Sequence, residues 1–312
     1  MACENKTLVT EFILEGLSKD VTIQSKLLLI FSFIYTITLI GNFTLILLTR
    51  IDNELSTPMY YFLFNLSLLD ISFTTVTVPN MLVNLYTKNK SITYTGCFTQ
   101  LYFFHFLGGS ECLLLAIMSL DRYMAICEPL RYTQIMNMDV CLRMALGCWF
   151  SGVLFSCSHT VHVAKLSFCT SNVINHFFCD IPPLYQLSAT DTRSSTLEIF
   201  IVGGFVAGGS FLLTLVSYVL IISSILKINS AKGKSKAFST CASHLMVVSI
   251  FFGTILFMYL RPPSAYSQEN DKLFCVFYNI FTPMLNPVIY SFRNKDVKRA
   301  MVRLSKKMSS YS

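Results

Sequence analysis

"MSLDRYMAICEPLRY", residues 118–132, closes a nearly uncharged run by setting an acid, Asp121, directly beside a base, Arg122. The meaning of that pair depends on the solvent around the run. Back to Cys97 the run holds one acid, Glu111, and no lysine or arginine. As a helix of about 24 residues, rising roughly 1.5 Å each, it crosses a hydrocarbon layer about 30 Å thick. Asp121 and Arg122 then stand where that helix leaves the membrane.

Six further runs have the same character: Leu27–Thr49, Pro58–Val83, Met144–Ala164, Ile199–Leu226, Ala237–Leu260 and Leu273–Phe292. Pro79, Pro283 and Pro287 fall inside or at the ends of runs, which membrane helices tolerate better than soluble ones. The 312-residue chain is 53% hydrophobic and only 13% charged, whereas an ordinary soluble domain is about 25% charged. Buried helices of a soluble protein would need charged amphipathic partners to cover them, and the sequence has none. The reading is an all-α membrane protein: a seven-transmembrane helix bundle over 27–292, an extracellular tail over 1–26, and a cytoplasmic amphipathic helix and tail over 293–312.

The net charge of +7 does not point to nucleic acid. With the N-terminus outside, the inner segments hold most of the basic residues: Arg50; Arg122, Arg131 and Arg143; Lys227, Lys232, Lys234 and Lys236; and the series from Arg293 to Lys307. The positive-inside rule therefore favours N-out, C-in. In Arg293–Met308, Val297, Met301, Leu304 and Met308 make an apolar stripe suited to anionic inner-leaflet lipids. Glu4, Glu11, Glu15 and Asp20 interrupt the first 25 residues, so the first span reads as an uncleaved signal-anchor. Asn5-Lys6-Thr7 is a glycosylation acceptor on the outer tail, and Asn89-Lys90-Ser91 a second one near the membrane.

Residues 165–196 form the one long loop, on the outer side where cysteines oxidise. Cys97 opens the third span there, which makes Cys97–Cys179 the natural bridge. His176, Cys179 and Asp180 offer a metal-like donor set, but a bridged Cys179 has no thiolate to give, so no metal and no cofactor is expected. Asp70 and Glu111 lie deep in spans two and three, where an ionisable group is a functional candidate by default. They form either a shared proton or cation site, or neutral acids that tie helices together, with Asn42, Ser67 and Asn286 as available partners.

The chain resembles the odorant receptors of the rhodopsin-like G-protein-coupled class, in their tetrapod-type group. The resemblance rests on Gly41-Asn42, "TPMYYFLFNLSLLD" (57–70), "MSLDRYMAICEPLRY", "SYVLI" (217–221), "KAFSTCASHL" (236–245) and "PMLNPVIYSFRN" (283–294), in this order on these spans. It implies a receptor for a small volatile odorant, coupled through a stimulatory olfactory heterotrimeric G protein to cyclic AMP. The implied place is the plasma membrane of sensory cilia, with receptor-trafficking proteins as possible accessory partners. It also implies an activation switch in which Arg122 leaves Asp121, with Tyr123, Tyr218, Asn286, Pro287 and Tyr290 in the matching motifs. Three positions depart from the family pattern. Ser119-Leu120 replaces Ala-Tyr, and Phe252 replaces a tyrosine, removing a hydroxyl from the pocket floor. Where a second loop bridge is expected, "LSATDT" (187–192) has Ala189, which leaves Cys169 as a candidate free thiol.

For the ligand site, Phe104, Gly108 and Cys112 recur every four residues on span three, as do His105 and Gly109, and the glycines should leave room. The resemblance sets them against Val202, Val206, Phe252, Ile255, Leu256, Tyr259, Tyr278 and Asn279. Phe104 replaces the carboxylate an amine ligand would need, and span seven has no lysine for retinal. A neutral lipophilic ligand fits, with a carboxylate held by His105 as the other option. No transporter-type repeat and no nucleophile–base pair is visible, so neither a carrier nor an enzyme is expected.

Overall fold

The computed structural model describes residues 9–87, 90–169, 171–259 and 268–309, without the side chains of 258, 259, 268–270 and 307–309. The acceptors Asn5 and Asn89 and the side chain of Tyr259 lie outside that set. Among the described residues, seven helices are long and apolar enough to cross a membrane. They are α1 (Val21–Ile51), α2 (Pro58–Tyr86), α3 (Tyr94–Cys127), α5 (Met138–Ala164), α7 with α8 (Arg193–Gly203, Gly209–Leu226), α9 (Ala231–Tyr259), and α10 with α11 (Gln268–Val276, Thr282–Arg293). Short helices α4 (Pro129–Ile135) and α6 (Ile181–Leu187) lie in loops, and α12 (Lys295–Ser309) follows the last span. The fifth and seventh spans each contain a π-type turn, at Gly204–Gly208 and Phe277–Phe281.

The helices overrun the apolar runs. α1 begins at Val21, where the Asp20 carboxylate accepts the Thr22 and Ile23 N–H groups. α9 begins at Ala231 and carries Lys232, Lys234 and Lys236 in its first turns. Charge limits what can sit in lipid but not what can be helical, so a helix continues into water until a cap stops it.

α3 is the axial helix, packed against α2, α5, α8 and α9. Pro287 leaves the Pro283 carbonyl without its helical donor, and Asn42 of α1 supplies one at 3.1 Å. Gly41 makes that approach possible, because a Cβ there would meet the Pro287 ring at 2.9 Å. Trp149 Nε1 donates to Asn65 at 3.2 Å and joins α5 to α2.

At the disulfide end, β1 (Glu11–Leu14) lies between β2 (Ser91–Thr93), antiparallel, and β3 (Val173–Ile174), parallel. Phe12 and Leu14 alternate inward with Glu11 and Ile13 outward, and join Phe98, Leu101, Val163 and Phe168 in a second core. Cys97 and Cys179 are bonded, their Cα atoms 5.4 Å apart. Gln100 holds the loop beside them, accepting from Cys179 N at 3.0 Å and donating to the Val76 carbonyl at 3.0 Å. Cys169 is not the free thiol expected: it is disulfide-bonded. Ala189 does lie beside this segment, its N–H on the Ser167 carbonyl at 2.9 Å, yet it has no sulfur to offer. Cysteine pairing follows spatial neighbours, which one local window of sequence cannot supply.

At the other end α12 turns away from α11 after Asn294, whose side chain caps it by accepting from Asp296 N and Val297 N. Val297 and Ala300 are buried, and Met301 and Leu304 partly so. Arg303 leaves the polar face to bind Asp52 and Glu54, both at 2.8 Å, in the turn between α1 and α2.

Candidate functional site

The Arg122 end of α3 holds a closed ion pair. Arg122 Nη2 lies 2.8 Å from Asp121 Oδ2, with Asp121 fully buried and Arg122 nearly so. The second carboxylate oxygen is taken by Tyr132, whose hydroxyl donates to Asp121 Oδ1 at 2.8 Å. α4 makes this contact by folding back under α3. Burial, and then the Asp121 charge, push the Tyr132 hydroxyl up, keeping it a donor. Tyr132 is the last letter of the stretch that marked the membrane boundary, but nothing in its spacing from Asp121 announces the bond. Tyr123 is half-buried against the core. Between α8 and α9, Tyr218 shares a hydrogen bond with His244 Nδ1 at 2.8 Å, and the Tyr290 hydroxyl of α11 is buried with no hydrogen-bond partner among the described residues. His244, inside "KAFSTCASHL", is a second participant missed from sequence.

Midway along the bundle Asn286 Nδ2 donates to both oxygens of Asp70, at 3.0 and 3.1 Å. Asp70 and Glu111 are within electrostatic reach of one another. Glu111 Oε1, Ser67 Oγ, Asn42 Oδ1 and Asn286 Oδ1 are buried with no hydrogen-bond partner among the described residues. Among the described residues Asn286 is the expected partner that reaches Asp70, while Asn42 is engaged at Pro283.

Toward the disulfide end an aromatic cluster surrounds Gly108. Phe104 stacks on Phe73 with ring centres 4.9 Å apart and contacts Phe178 at 4.8 Å and Tyr278 at 6.1 Å. Tyr278 also meets Phe251 at 5.6 Å, and Phe252 meets Phe211 of α8 at 5.6 Å. Cys112 and Ile255 are buried, while Val202, Val206 and Leu256 are partly exposed. Asn279 accepts from Thr77 of α2 at 2.9 Å, and its amide nitrogen is buried with no partner among the described residues.

The glycines do not leave open room. A Cβ on Gly108 would stand 2.7 Å from the Tyr278 hydroxyl, and one on Gly109 2.7 Å from the Phe155 ring of α5. The two four-residue series therefore face different neighbours. Gly109 and His105 look toward α5, since residues one apart differ by about 100° on a helix.

His105 belongs to a polar line absent from the expected site. Its Nε2 lies 3.8 Å from Asp180, and its ring 5.7 Å from His159. His159 Nδ1 lies 3.2 Å from Glu198 of α7, which also accepts from Ser158 and lies 3.7 Å from His162. Burial raises the Asp180 acid, with His105 and the Ile181 N–H acting the other way. In the donor set at 176–180, Cys179 is bridged and His176 stacks on Phe177 at 4.7 Å.

A sequence model described as "Olfactory receptor" matches residues 31–307. The chain belongs to the olfactory receptor family. Olfactory receptor 10A7 of Homo sapiens is 50% identical over 303 residues, covering 97% of this chain and 96% of that one. The olfactory receptor-like protein COR5 of Gallus gallus is 49% identical over 304 residues, covering 97% of each. A crystal structure of squid rhodopsin aligns with TM-score 0.73 at 20% identity, over 93% of this chain and 82% of that one, and that likeness shows the fold.

As an olfactory receptor, the chain is a G-protein-coupled membrane receptor and not an enzyme. Two departures in this olfactory receptor have structural partners. Ser119 donates to the Leu115 carbonyl at 3.0 Å, and its hydroxyl lies 3.3 Å from Thr214 Oγ1 of α8. Phe252 sits edge-on to Phe251, ring centres 5.3 Å apart.

Proposed function

We propose that this olfactory receptor binds a small, mostly apolar volatile molecule at the disulfide-end cluster and, when occupied, activates a stimulatory olfactory-type G protein to raise cyclic AMP. The disulfide end faces outside, the Arg122 end faces the cytoplasm, and the receptor works in the plasma membrane of sensory cilia, delivered with trafficking proteins. Residues 27–292 do the sensing and coupling. Phe104, Gly108, Cys112, Val202, Val206, Phe252, Ile255, Leu256 and Tyr278 provide apolar contact, and His105 and Asn279 provide polar handles. Burial of apolar surface gives the affinity, at about 25 cal/mol per Å².

The observation that carries the reading is the Arg122–Asp121 pair, 2.8 Å long and buried at one end of the helix whose other end bears Phe104 and Gly108. Occupancy that favours a second packing of α3 against α8 and α9 frees Arg122 for the G protein. Asp70 and Glu111 bias that equilibrium through the proton or cation they share. A broad odorant panel on cells co-expressing the olfactory G protein tests this. At least one compound should raise cyclic AMP, and Arg122→Ala should abolish the rise at unchanged surface expression. A response that survives Arg122→Ala removes the switch from the mechanism.

A further inference from the structure

The handle in the outer site is a pair of groups, not a single histidine. His105 Nδ1 lies 2.9 Å from the Leu101 carbonyl oxygen. A carbonyl only accepts, so Nδ1 carries hydrogen, and in the neutral ring Nε2 is a bare lone pair. Facing it is the Asp180 carboxyl, with Oδ1 3.8 Å away and already accepting the Ile181 N–H at 2.8 Å. Both side chains are more than nine-tenths buried. A lone pair and a carboxylate do not face one another in such a place without a proton on one of them. The pair therefore holds one proton, on Nε2 or on the acid, and offers a donor beside an acceptor.

The two atoms stop short of each other, because a hydrogen bond needs about 2.7–3.2 Å. One oxygen at about 2.8 Å from each bridges them after a small opening of the pair. A hydroxyl suits this: it donates once and accepts through two lone pairs. An ether, aldehyde or ketone only accepts. A charged amine or carboxylate must add to or remove from the shared proton beside the rings of Phe104, Phe155 and Phe178. Resting on the receptor reading above, we infer that this receptor selects odorants bearing a hydroxyl group, taken between His105 and Asp180 with the carbon chain against Phe104 and Phe178.

The test compares straight-chain alcohols with alkanes, methyl ethers, aldehydes, primary amines and carboxylic acids of matched length, reading cyclic AMP in the full-length receptor. Alcohols should act at concentrations roughly tenfold to hundredfold lower than their ethers, the range for a lost hydrogen bond to a charged group. In His105→Phe the alcohol should weaken to the level of the ether, while the ether shifts much less. Asp180→Asn, which keeps a polar group at the start of α6, should narrow the same gap. If His105→Phe fails to reach the surface, the wild-type rank order and Asp180→Asn decide. Ethers or aldehydes equal to alcohols would mean that water alone bridges the pair, overturning the inference while the receptor reading stands. An amine or acid preference would overturn it too. Silence toward every compound, with other odorant classes also inactive, would count against both readings.

Discussion

At the scale of single residues, Asp121 is the most constrained group at the Arg122 end. Each carboxylate oxygen has one partner, Arg122 and Tyr132, at equal distances of 2.8 Å. A hydrogen bond to a charged group contributes about 1.5–3 kcal/mol when buried, and Tyr132 is half-buried, so the lower part of that range applies. Tyr132→Phe deletes only the hydroxyl. It should raise odorant-independent cyclic AMP several-fold at matched surface expression, without moving the odorant concentration dependence by more than the shared shift in basal state. An unchanged basal level would mean that α4 exerts no hold on the ion pair. Asp121 and Arg122 were legible from sequence as residues, because adjacent charges at a membrane boundary stand out. Tyr132 was not, because its bond depends on how α4 folds back.

At the scale of elements, the three-stranded sheet and the loop that carries β3 close the disulfide end. Lys272 Nζ joins them to the last span, donating to the Gly16 carbonyl at 2.9 Å and to Asn175 Oδ1 at 2.6 Å. His176 lies under this tie, packed on Phe177 and Phe178. Burial first, and then the Lys272 charge, lower its pKa to about 3. An unfolded histidine titrates near about 6.5, so between those values the opened loop binds the extra proton. The loop is therefore fully stable above the ordinary histidine value and loses up to about 1.4 kcal/mol per pH unit below it. Amide exchange across residues 173–179, corrected for intrinsic rates, should lose protection between about pH 7 and about pH 5. His176→Phe should remove that loss. Equal protection at both pH values would show that the loop opens without exposing His176.

At the scale of the whole molecule, the expected orientation places the ligand site and the ion pair on opposite sides of a membrane. The basic residues concentrate at the Arg122 end, and α12 is held there by Arg303 on Asp52 and Glu54. An epitope at the N-terminus should be stained on intact cells, and one at the C-terminus only after permeabilisation. Staining of both on intact cells would put the two ends on one face and remove the basis for outside-to-inside signalling.

The sequence by itself determined the number of spans, their order and the buried acids. Each rests on a property that composition carries directly: a run is either apolar for the thickness of a bilayer or it is not, and a charge within it stands out. It also located the Cys97–Cys179 bridge, since both cysteines border one surface. Only the tertiary structure decided what the small and polar side chains do. It turned Asn42 to the Pro283 carbonyl instead of Asp70, and Gly109 to Phe155 of α5. It also set His105 against Asp180 from a loop some 75 residues away. Those outcomes depend on helix rotation and on distances of a few ångströms between segments far apart in the chain. Periodicity along one helix fixes which residues share a face, but not which neighbour that face will meet.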